Sequence, residues 1–286
     1  MLQIGDIKIH LIHDAQVMVD PGGTFGLVPR ILWQRYLKPT EDHMVPMIMV
    51  NLLVEVGDKR IVIDTGFGNK LDEKARRIWR LERPHGELLD GLARLGLAPG
   101  DIDLVIDTHL HADHCSGNTR FNEDGEIVPA FPNAEYVVQR REFDDAMQPN
   151  ERTAATYYPI NYQPLIENHQ MRLLDGDAEL APGVFGVVTP GHTPGHMSVR
   201  FASQGENAMF VCDLASYAIH FERLGWMTAY DVEPLVTLET KRKWQAWALE
   251  TGATLIFPHD HQRPVGRLTQ TEKGRPTLEP IEFEFV

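Results

Sequence analysis

Three histidines and one aspartate fall within the stretch THLHADH, residues 108–114. Imidazole nitrogens bind zinc, iron, copper and nickel, and a nearby carboxylate adds charge compensation. From a short turn, His109 and His111 can point into one cavity, while Asp113 and His114 can point to a second ion beside it. Packing alone gives no reason to collect these side chains on one loop, so the stretch predicts a site for metal ions.

One short motif cannot fill two metal sites, so ligands are needed from elsewhere in the chain. Three candidates follow apolar, strand-like runs, as the motif itself does. His192 lies in the Gly- and Pro-bounded loop at residues 191–196, and Asp213 and His259 each end an apolar run. Because strand ends are where a rigid scaffold presents functional loops, we expect these side chains to meet the motif.

Other residues near these candidates are expected to support the site or to play no part in it. His196 and Asp64 are expected to orient ligands or to stiffen their loops through hydrogen bonds. Cys115 directly follows the motif, and we expect a small buried side chain that points away from the metals. Cys212 precedes Asp213 on a predicted strand, so its side chain should face the opposite side. The isolated histidines are expected to be surface or hydrogen-bonded core residues: His10, His13, His85 and His169.

Short runs rich in Val and Ile, bounded by Gly, Pro, Asp or Asn, predict the strands that position these loops. The predicted strands are residues 7–12, 47–56, 60–63, 104–106, 135–138, 186–188, 199–201, 209–211 and 254–257. Helices are predicted at residues 72–81, 86–95 and 237–250. Strands mixed with helices in this order indicate a layered α/β or α+β fold. No linker or repeat divides the chain, so we expect a single domain over residues 1–286.

The composition excludes several classes of protein. With 286 residues, 43% of them hydrophobic and 24% charged, the chain can bury a sizeable core without disulfides. Its net charge of −14 disfavours nucleic acid and membrane surfaces as partners. The two cysteines indicate a reducing compartment, and the N-terminus shows no signal peptide. We therefore expect a cytoplasmic protein.

The ordered set of motifs resembles the metallo-β-lactamase fold superfamily. The resemblance consists of His-x-His-x-Asp-His, a later Gly-His, an aspartate after an apolar strand, and a late histidine. Asp64, in the stretch VIDTG, matches the early strand-end aspartate of that superfamily. The likeness runs from about residue 45 to residue 262 and is highly specific for this chemistry.

A narrower resemblance extends the likeness to almost the whole chain. The stretch DPGGTFGLVP at residues 20–29, with Leu32 and Trp33, is similar to the N-terminal segment of YtnP-like quorum-quenching lactonases. Residues 226–231 and 237–241 are similar to them as well. Residues 1–45 are therefore expected to form a family-specific segment, whose part from Pro21 to Trp33 folds over the mouth of the site or across a dimer interface. The alternative is a surface loop that packs only on its own domain.

The resemblance implies a four-layer αββα sandwich with the site at one edge of two sheets. It implies that one metal is held by His109, His111 and His192. The other metal is then held by Asp113, His114 and His259, and Asp213 bridges both. Zinc is the first choice for two divalent ions in this set of nitrogen and oxygen ligands, with iron, cobalt and manganese as alternatives.

Two features depart from the pattern of the relatives. Cys115-Ser116-Gly117 stands where many of them have a small residue followed by Gly-Gly. Some lactonases of the superfamily place a tyrosine soon after the bridging aspartate to hold the substrate carbonyl. Here Ser216 and Tyr217 occupy that region without a clean match in spacing, which leaves open whether Tyr217 or His220 contacts the substrate.

The sequence therefore predicts a hydrolase that opens a lactone ring, with N-acyl-homoserine lactones as the substrate class and quorum quenching as the role. A hydroxide that bridges the two metals would attack the carbonyl carbon, and Asp113 would move a proton to the leaving group. Several aromatic and apolar residues would line an acyl pocket or pack in the core: Phe25, Trp33, Tyr217, Phe221, Trp226 and Met227.

Other functions could use the same metals. A phosphotriesterase or arylesterase would use the same pair of ions, and pocket shape decides between these reactions. A di-iron redox protein is disfavoured, because His111 stands where flavodiiron proteins have glutamate and no room remains for a flavin domain after His259. The net charge of −14 disfavours a nuclease, and a closed four-ligand structural cage does not fit so many ligands. We expect a small-molecule lactone or ester as the partner, with a homodimer as a further possibility.

Overall fold

The computed structural model describes all 286 residues of the chain. Two seven-stranded sheets and a two-stranded hairpin contain all the strands. The first sheet and the hairpin comprise β1 (Leu2–Ile4), β2 (Ile7–Val19), β3 (Val45–Val56), β4 (Lys59–Ile63), β5 (Leu104–Ile106), β6 (Thr119–Phe121), β7 (Ile127–Pro129), β8 (Glu135–Gln139) and β9 (Met171–Leu174). The second sheet comprises β10 (Ala178–Ala181), β11 (Val184–Val188), β12 (Met197–Ser203), β13 (Glu206–Phe210), β14 (Thr254–Ile256), β15 (Val265–Gln270) and β16 (Pro276–Pro280).

Strand order places the two halves of the chain in separate sheets. The first sheet has the order β1-β2-β3-β4-β5-β8-β9, with β6 and β7 in the hairpin, and the second runs from β10 to β16 in sequence order. Most neighbours are antiparallel, but β4, β5, β8 and β9 run parallel, as do β13 and β14. Because parallel neighbours end at the same edge, the loops that follow them lie together.

Nine α-helices accompany the sheets, most of them short. They are α1 (Pro21–Phe25), α2 (Arg30–Trp33), α3 (Glu73–Trp79), α4 (Leu88–Arg94), α5 (Ala112–Cys115), α6 (Arg140–Met147), α7 (Gln163–Glu167), α8 (Ala218–Glu222) and α9 (Pro234–Thr251). The longest helix, α9, begins with Pro234 and ends before Gly252, whose φ of 64° is the left-handed conformation that glycine adopts without strain. The three predicted helices correspond to α3, α4 and α9.

Apolar side chains fill three layers between helices and sheets. The inner faces of both sheets interdigitate in a cluster of 25 buried residues that includes Leu52 and Phe210. Outside the first sheet, Leu92 of α4 packs against Val105, and outside the second sheet Trp244 of α9 packs in a separate cluster. Helix, sheet, sheet and helix thus form four layers, and the predicted αββα sandwich is confirmed.

The candidate ligands lie at one edge of this sandwich. The THLHADH stretch follows β5, and the 191–196 loop follows β11. Asp213 and His259 follow β13 and β14, which pair in parallel. All nine predicted strands are present; β2 extends seven residues beyond its predicted end at residue 12, and the other ends are displaced by at most three residues. None of the helices combines the length and the apolar character that crossing a membrane requires.

Candidate metal centre

Three imidazoles predicted to share one metal lie together. The ligand nitrogens of His109, His111 and His192 all lie within 4.8 Å of one another. His192 Nε2 is 3.1 Å from His111 Nδ1, and all three residues are buried. The structure therefore brings this predicted triad to a point at which one ion could contact all three nitrogens.

The second predicted triad is also assembled. Ligand atoms of Asp113, His114 and His259 lie within 4.8 Å of one another. The Nε2 atoms of His114 and His259 are 3.2 Å apart, and Asp113 Oδ2 lies 3.6 Å from the former and 3.7 Å from the latter. The two triads belong to one loop and two distant strand ends, yet they form adjacent ligand sets.

Asp213 stands between the triads. Its Oδ2 is 3.2 Å from His192 Nε2 in one triad, and its Oδ1 is 3.1 Å from His259 Nε2 in the other. Oδ2 is also 3.6 Å from His114 Nε2 of the second triad, so the carboxylate as a whole faces both sets of ligands. This is the placement expected of a carboxylate that bridges two ions.

The hydrogen bonds of the histidine rings show which ring nitrogens remain free to bind a cation. His114 Nδ1 pairs with Asp64 Oδ2 at 2.9 Å, and His259 Nδ1 donates to the carbonyl of Ile48 at 2.9 Å. When both rings are neutral, these two contacts use their ring hydrogens, and the lone pairs of the two Nε2 atoms face each other at 3.2 Å. His109 Nε2 is buried and has no hydrogen-bond partner. Facing lone pairs and an orphaned nitrogen are unfavourable without an electrophile, so the donor set fits metal ions.

Burial also keeps key imidazoles in their metal-binding form. Burial lowers the pKa of His109 well below its ordinary value, and the neighbouring His114 lowers it further. Burial lowers the pKa of His111 in the same way, with His192 adding to the effect. Neutral imidazole is the form that ligates a metal, so neither side chain has to lose a proton at neutral pH.

A carboxylate that sequence reasoning did not single out orients His192. Asp231 Oδ1 lies 3.0 Å from His192 Nδ1 and accepts a hydrogen bond from Thr228 Oγ1 at 2.8 Å. Such carboxylate–histidine pairs fix the ring so that the other nitrogen faces the metal. Asp231 lies 39 residues after His192 in an irregular loop, and no spacing rule connects the two.

The two residues expected to support the ligands do contact them. Asp64 accepts from the Thr108 backbone at 2.8 Å and pairs with His114, and it does so from a left-handed backbone with φ of 54°. His196 Nε2 accepts a hydrogen bond from the Asp213 backbone nitrogen at 3.1 Å. Burial lowers the pKa of His196 to about 3, so the ring stays neutral and can accept.

Glu142 connects the two histidine loops and was also missed. Its Oε1 accepts hydrogen bonds from the Leu110 backbone nitrogen and from Tyr157 Oη, both at 3.0 Å. Its Oε2 accepts from the hydroxyl of Thr193. Leu110 lies between His109 and His111, and Thr193 follows His192. This buried carboxylate of α6 therefore ties the first metal-binding loop to the second.

The two cysteines differ in their relation to the site. Cys115 packs in an apolar cluster and its thiol contacts the Leu110 carbonyl at 3.3 Å, pointing away from the ligands as expected. The expectation for Cys212 was wrong, because its Sγ lies 3.0 Å from Thr108 Oγ1 and 3.6 Å from His114 Nδ1. Strand β13 ends at Phe210, and Cys212 begins a turn with φ of 51°, so strand alternation does not apply there.

A cavity of about 300 Å³ opens above the two triads and will be called the metal cavity. Its walls include ligands together with Val19, Thr24, Met47, Trp79, Thr156, Ser216, Tyr217, Thr228 and Tyr230. Tyr217 is buried and its hydroxyl donates to the carbonyl of Pro46 at 3.1 Å. His220 is buried behind this wall and is not part of the lining.

Most of the aromatic residues considered for an acyl pocket pack in the core instead. Phe25 and Trp33 stack with ring centroids 5.1 Å apart, and Trp226 meets Phe25 edge-on. Phe221 is fully buried under α9. Of the six considered, Tyr217 alone lines the metal cavity. The N-terminal segment nevertheless reaches the site, because Thr24 forms part of the cavity wall.

Comparison with known proteins agrees with this geometry. A family model for the metallo-beta-lactamase superfamily matches residues 50–260. An N-acyl homoserine lactonase from a Bacillus species is 29% identical over 177 residues, which is 61% of this chain and 62% of that relative. The matched part thus spans less than two thirds of the curated relative.

Solved structures cover the whole chain. A probable metal-dependent hydrolase from Staphylococcus aureus superimposes with a TM-score of 0.88 at 28% identity, covering 100% of both chains. AidC, a dizinc quorum-quenching lactonase in complex with a product, gives a TM-score of 0.80 at 22% identity, over 99% of this chain and 97% of that one. At that identity, the second likeness concerns the fold alone.

Proposed function

The chain belongs to the metallo-beta-lactamase superfamily, and on that premise we propose that it is a dinuclear metal-dependent hydrolase that opens the ring of N-acyl-homoserine lactones. The observation that carries the proposal is the pair of ligand triads that share Asp213 at the floor of the metal cavity. The lactonase relatives support the choice of a lactone over other esters. Cytoplasmic location and a homodimer stay predictions.

We assign the ligands as the resemblance implied. The first ion would be held by His109, His111 and His192. The second ion would be held by Asp113, His114 and His259, and Asp213 would contribute to both. Zinc remains the first choice, since the set offers nitrogen and oxygen donors and no thiolate.

The metal pair, when bound, supplies a hydroxide nucleophile and a Lewis acid for the carbonyl oxygen. The remaining work falls to the protein's own side chains. The side chain of Asp113 is 22% exposed, so this residue is accessible from the cavity and can accept the proton that the nucleophile loses and pass it to the leaving alkoxide. Tyr217 is the proposed donor to the substrate carbonyl, exchanging its hydrogen bond to Pro46 for one to the substrate.

The walls of the metal cavity suit a partly apolar substrate. Val19, Met47 and Trp79 offer hydrocarbon surface beside the ligands, while Thr24 and Thr228 offer hydroxyls. A volume of about 300 Å³ is at the lower end of the range for small-molecule sites. A lactone ring with its amide fits this mixture of apolar and polar walls.

A pH-indicator assay with short- and long-chain acyl-homoserine lactones tests the proposal. The wild type should release one proton per ring opened, and His111→Ala should be inactive because the first triad loses a ligand. Aryl esters and aryl phosphotriesters are run beside the lactones. If the wild type hydrolyses those and opens no lactone, the reaction is that of a phosphotriesterase or arylesterase instead.

A further inference from the structure

A second cavity, which we call the side cavity, lies next to the metal cavity and has a volume of about 390 Å³. The two cavities share three wall residues, Trp79, Asp113 and Thr156. Because Asp113 is a proposed metal ligand, a molecule bound at the metals can extend past this carboxylate into the side cavity. The site described so far makes no use of this space.

The walls of the side cavity are mainly apolar. They include Phe67, Leu71, Phe121, Tyr158 and Ile160. Phe121 and Tyr158 are each 49% exposed and Ile160 is 44% exposed, although all three carry large apolar surfaces. Exposed apolar side chains gathered around a hollow are typical of a ligand-binding surface. An aliphatic chain would cover them.

One cation stands among these apolar walls. Lys70 lines the side cavity, and its ammonium donates to the backbone carbonyls of Ser116 and Thr119. An ammonium has three donors, so one hydrogen remains for another acceptor. Burial lowers the pKa of Lys70 to about 8, which leaves the group protonated at neutral pH.

The charge of Lys70 has no carboxylate partner in the protein. Asp72 and Asp113 also line the side cavity, but neither forms an ion pair with Lys70. The chain has 41 acidic residues against 27 basic ones, so an unpaired, partly buried cation is not explained by a shortage of acids. Buried charges are normally paired, and a ligand that brings a negative charge would complete this site.

We propose that the side cavity binds the acyl arm of a substrate that carries a carboxylate, and that Lys70 donates a hydrogen bond to that carboxylate. The proposal rests on the proposed function and narrows its substrate to lactones acylated with a dicarboxylic acid. The reacting carbonyl lies at the metals, the aliphatic part lies against Phe121 and Ile160, and the distal carboxylate meets Lys70. The competing explanation is that Lys70 has only a structural role, stabilising the chain after the 108–114 loop through its hydrogen bonds to the carbonyls of Ser116 and Thr119.

A binding experiment decides between these explanations without catalysis. Zinc-loaded protein is titrated by calorimetry with hexanedioate, octanedioate and decanedioate, and with the matching monocarboxylates. Every one of these compounds has one carboxylate that can bind the metals. The difference in affinity between a dicarboxylate and its matching monocarboxylate therefore measures the contribution of the second carboxylate. The dicarboxylate of matching length should bind about tenfold more tightly than its partner, the gain from one charge-assisted hydrogen bond.

Variants assign that gain to a residue. Lys70→Met keeps the length of the side chain and removes the charge, and the tenfold advantage should disappear. Lys74→Met on α3, where the lysine is exposed and lies outside the side cavity, should keep it. Equal binding of both members of every pair by the wild type, or an unchanged advantage in Lys70→Met, would overturn the proposal.

Kinetics add a second readout. The ratio of kcat/KM for a lactone whose acyl arm ends in a carboxylate to that for the matching methyl ester should fall about tenfold in Lys70→Met. A purely structural role would lower both values alike and reduce the Tm, leaving the ratio unchanged. If no lactone is opened at all, the proposed function fails. The calorimetric comparison then still tests whether the side cavity binds a carboxylate through Lys70.

Discussion

Replacing Glu142 by Ala should destabilise the protein and weaken its metal centre together. The side chain is fully buried and accepts hydrogen bonds from Leu110, Tyr157 and Thr193. All three groups donate, and none has another acceptor among the hydrogen bonds of the structure. Alanine therefore leaves three donors unsatisfied in a space of carboxylate size.

The size of the effect follows from those three donors. Each buried donor that loses its acceptor costs about 1–3 kcal/mol, and water entering the space recovers part of this. The free energy of unfolding should therefore fall by roughly 3–6 kcal/mol. In a chain of this length that corresponds to a Tm lower by about 6–12 °C. Loss of the tie between the two loops should also weaken metal binding about 10- to 100-fold.

Thermal unfolding and competitive zinc titration measure both effects. Glu142→Gln is the matched variant, because its amide oxygen still accepts from Leu110 and its amide nitrogen can donate to the Thr193 hydroxyl. It should lose less than about 2 kcal/mol. Glu151→Ala, at an exposed glutamate outside every hydrogen bond described, should leave both quantities unchanged. A Glu142→Ala protein with the Tm and zinc affinity of the wild type would refute the reasoning.

Three further changes test the metal centre and the cavity wall. Asp213→Ala removes the carboxylate that faces both triads. Metal analysis should then find fewer than two ions per chain, and the lactone assay should show a large loss of kcat. A variant that keeps two ions and full activity would contradict the proposed bridge. Asp231→Ala removes the acceptor of His192 Nδ1 and should weaken zinc about 10- to 100-fold in a chelator competition, and an unchanged affinity would deny the orienting role. Tyr217→Phe should lower kcat about 100-fold if the hydroxyl holds the carbonyl, while lost contact with Pro46 costs about 1 kcal/mol of stability; a change in Tm with unaltered kcat assigns Tyr217 to packing alone.

The convergence of the candidate ligands could be predicted from sequence, because each of these residues obeys a local rule. The THLHADH stretch is dense in metal-binding types, and Asp213 and His259 follow apolar runs whose strand character is legible from Val and Ile. For these residues to meet, the fold needs only to place the strand ends at a common edge of the sandwich. Parallel pairing of β13 with β14, and of β4 with β5, does this.

The supporting residues could not be predicted, because their roles arise only in three dimensions. Glu142 lies among other charged residues of α6, and its sequence neighbours resemble those of a solvent-exposed helix. Its burial depends on Gly195, since a Cβ there would lie 2.2 Å from the Glu142 backbone nitrogen. Asp231 likewise sits in an irregular loop. Neither apolar periodicity nor motif spacing carries information about such partners.

The side-chain direction of Cys212 was predicted wrongly because it, too, depends on the three-dimensional structure, namely on where a strand ends. Alternation of side chains holds only while a strand continues, and β13 stops two residues before Cys212. Asp64 follows β4 in the same manner, and both residues adopt positive φ, at 54° for Asp64 and 51° for Cys212. Such backbone costs about 1–3 kcal/mol at a residue other than glycine. Both side chains then contact Thr108, which directly precedes the first candidate ligand, His109. The two strained residues therefore position side chains that hold the start of the 108–114 loop.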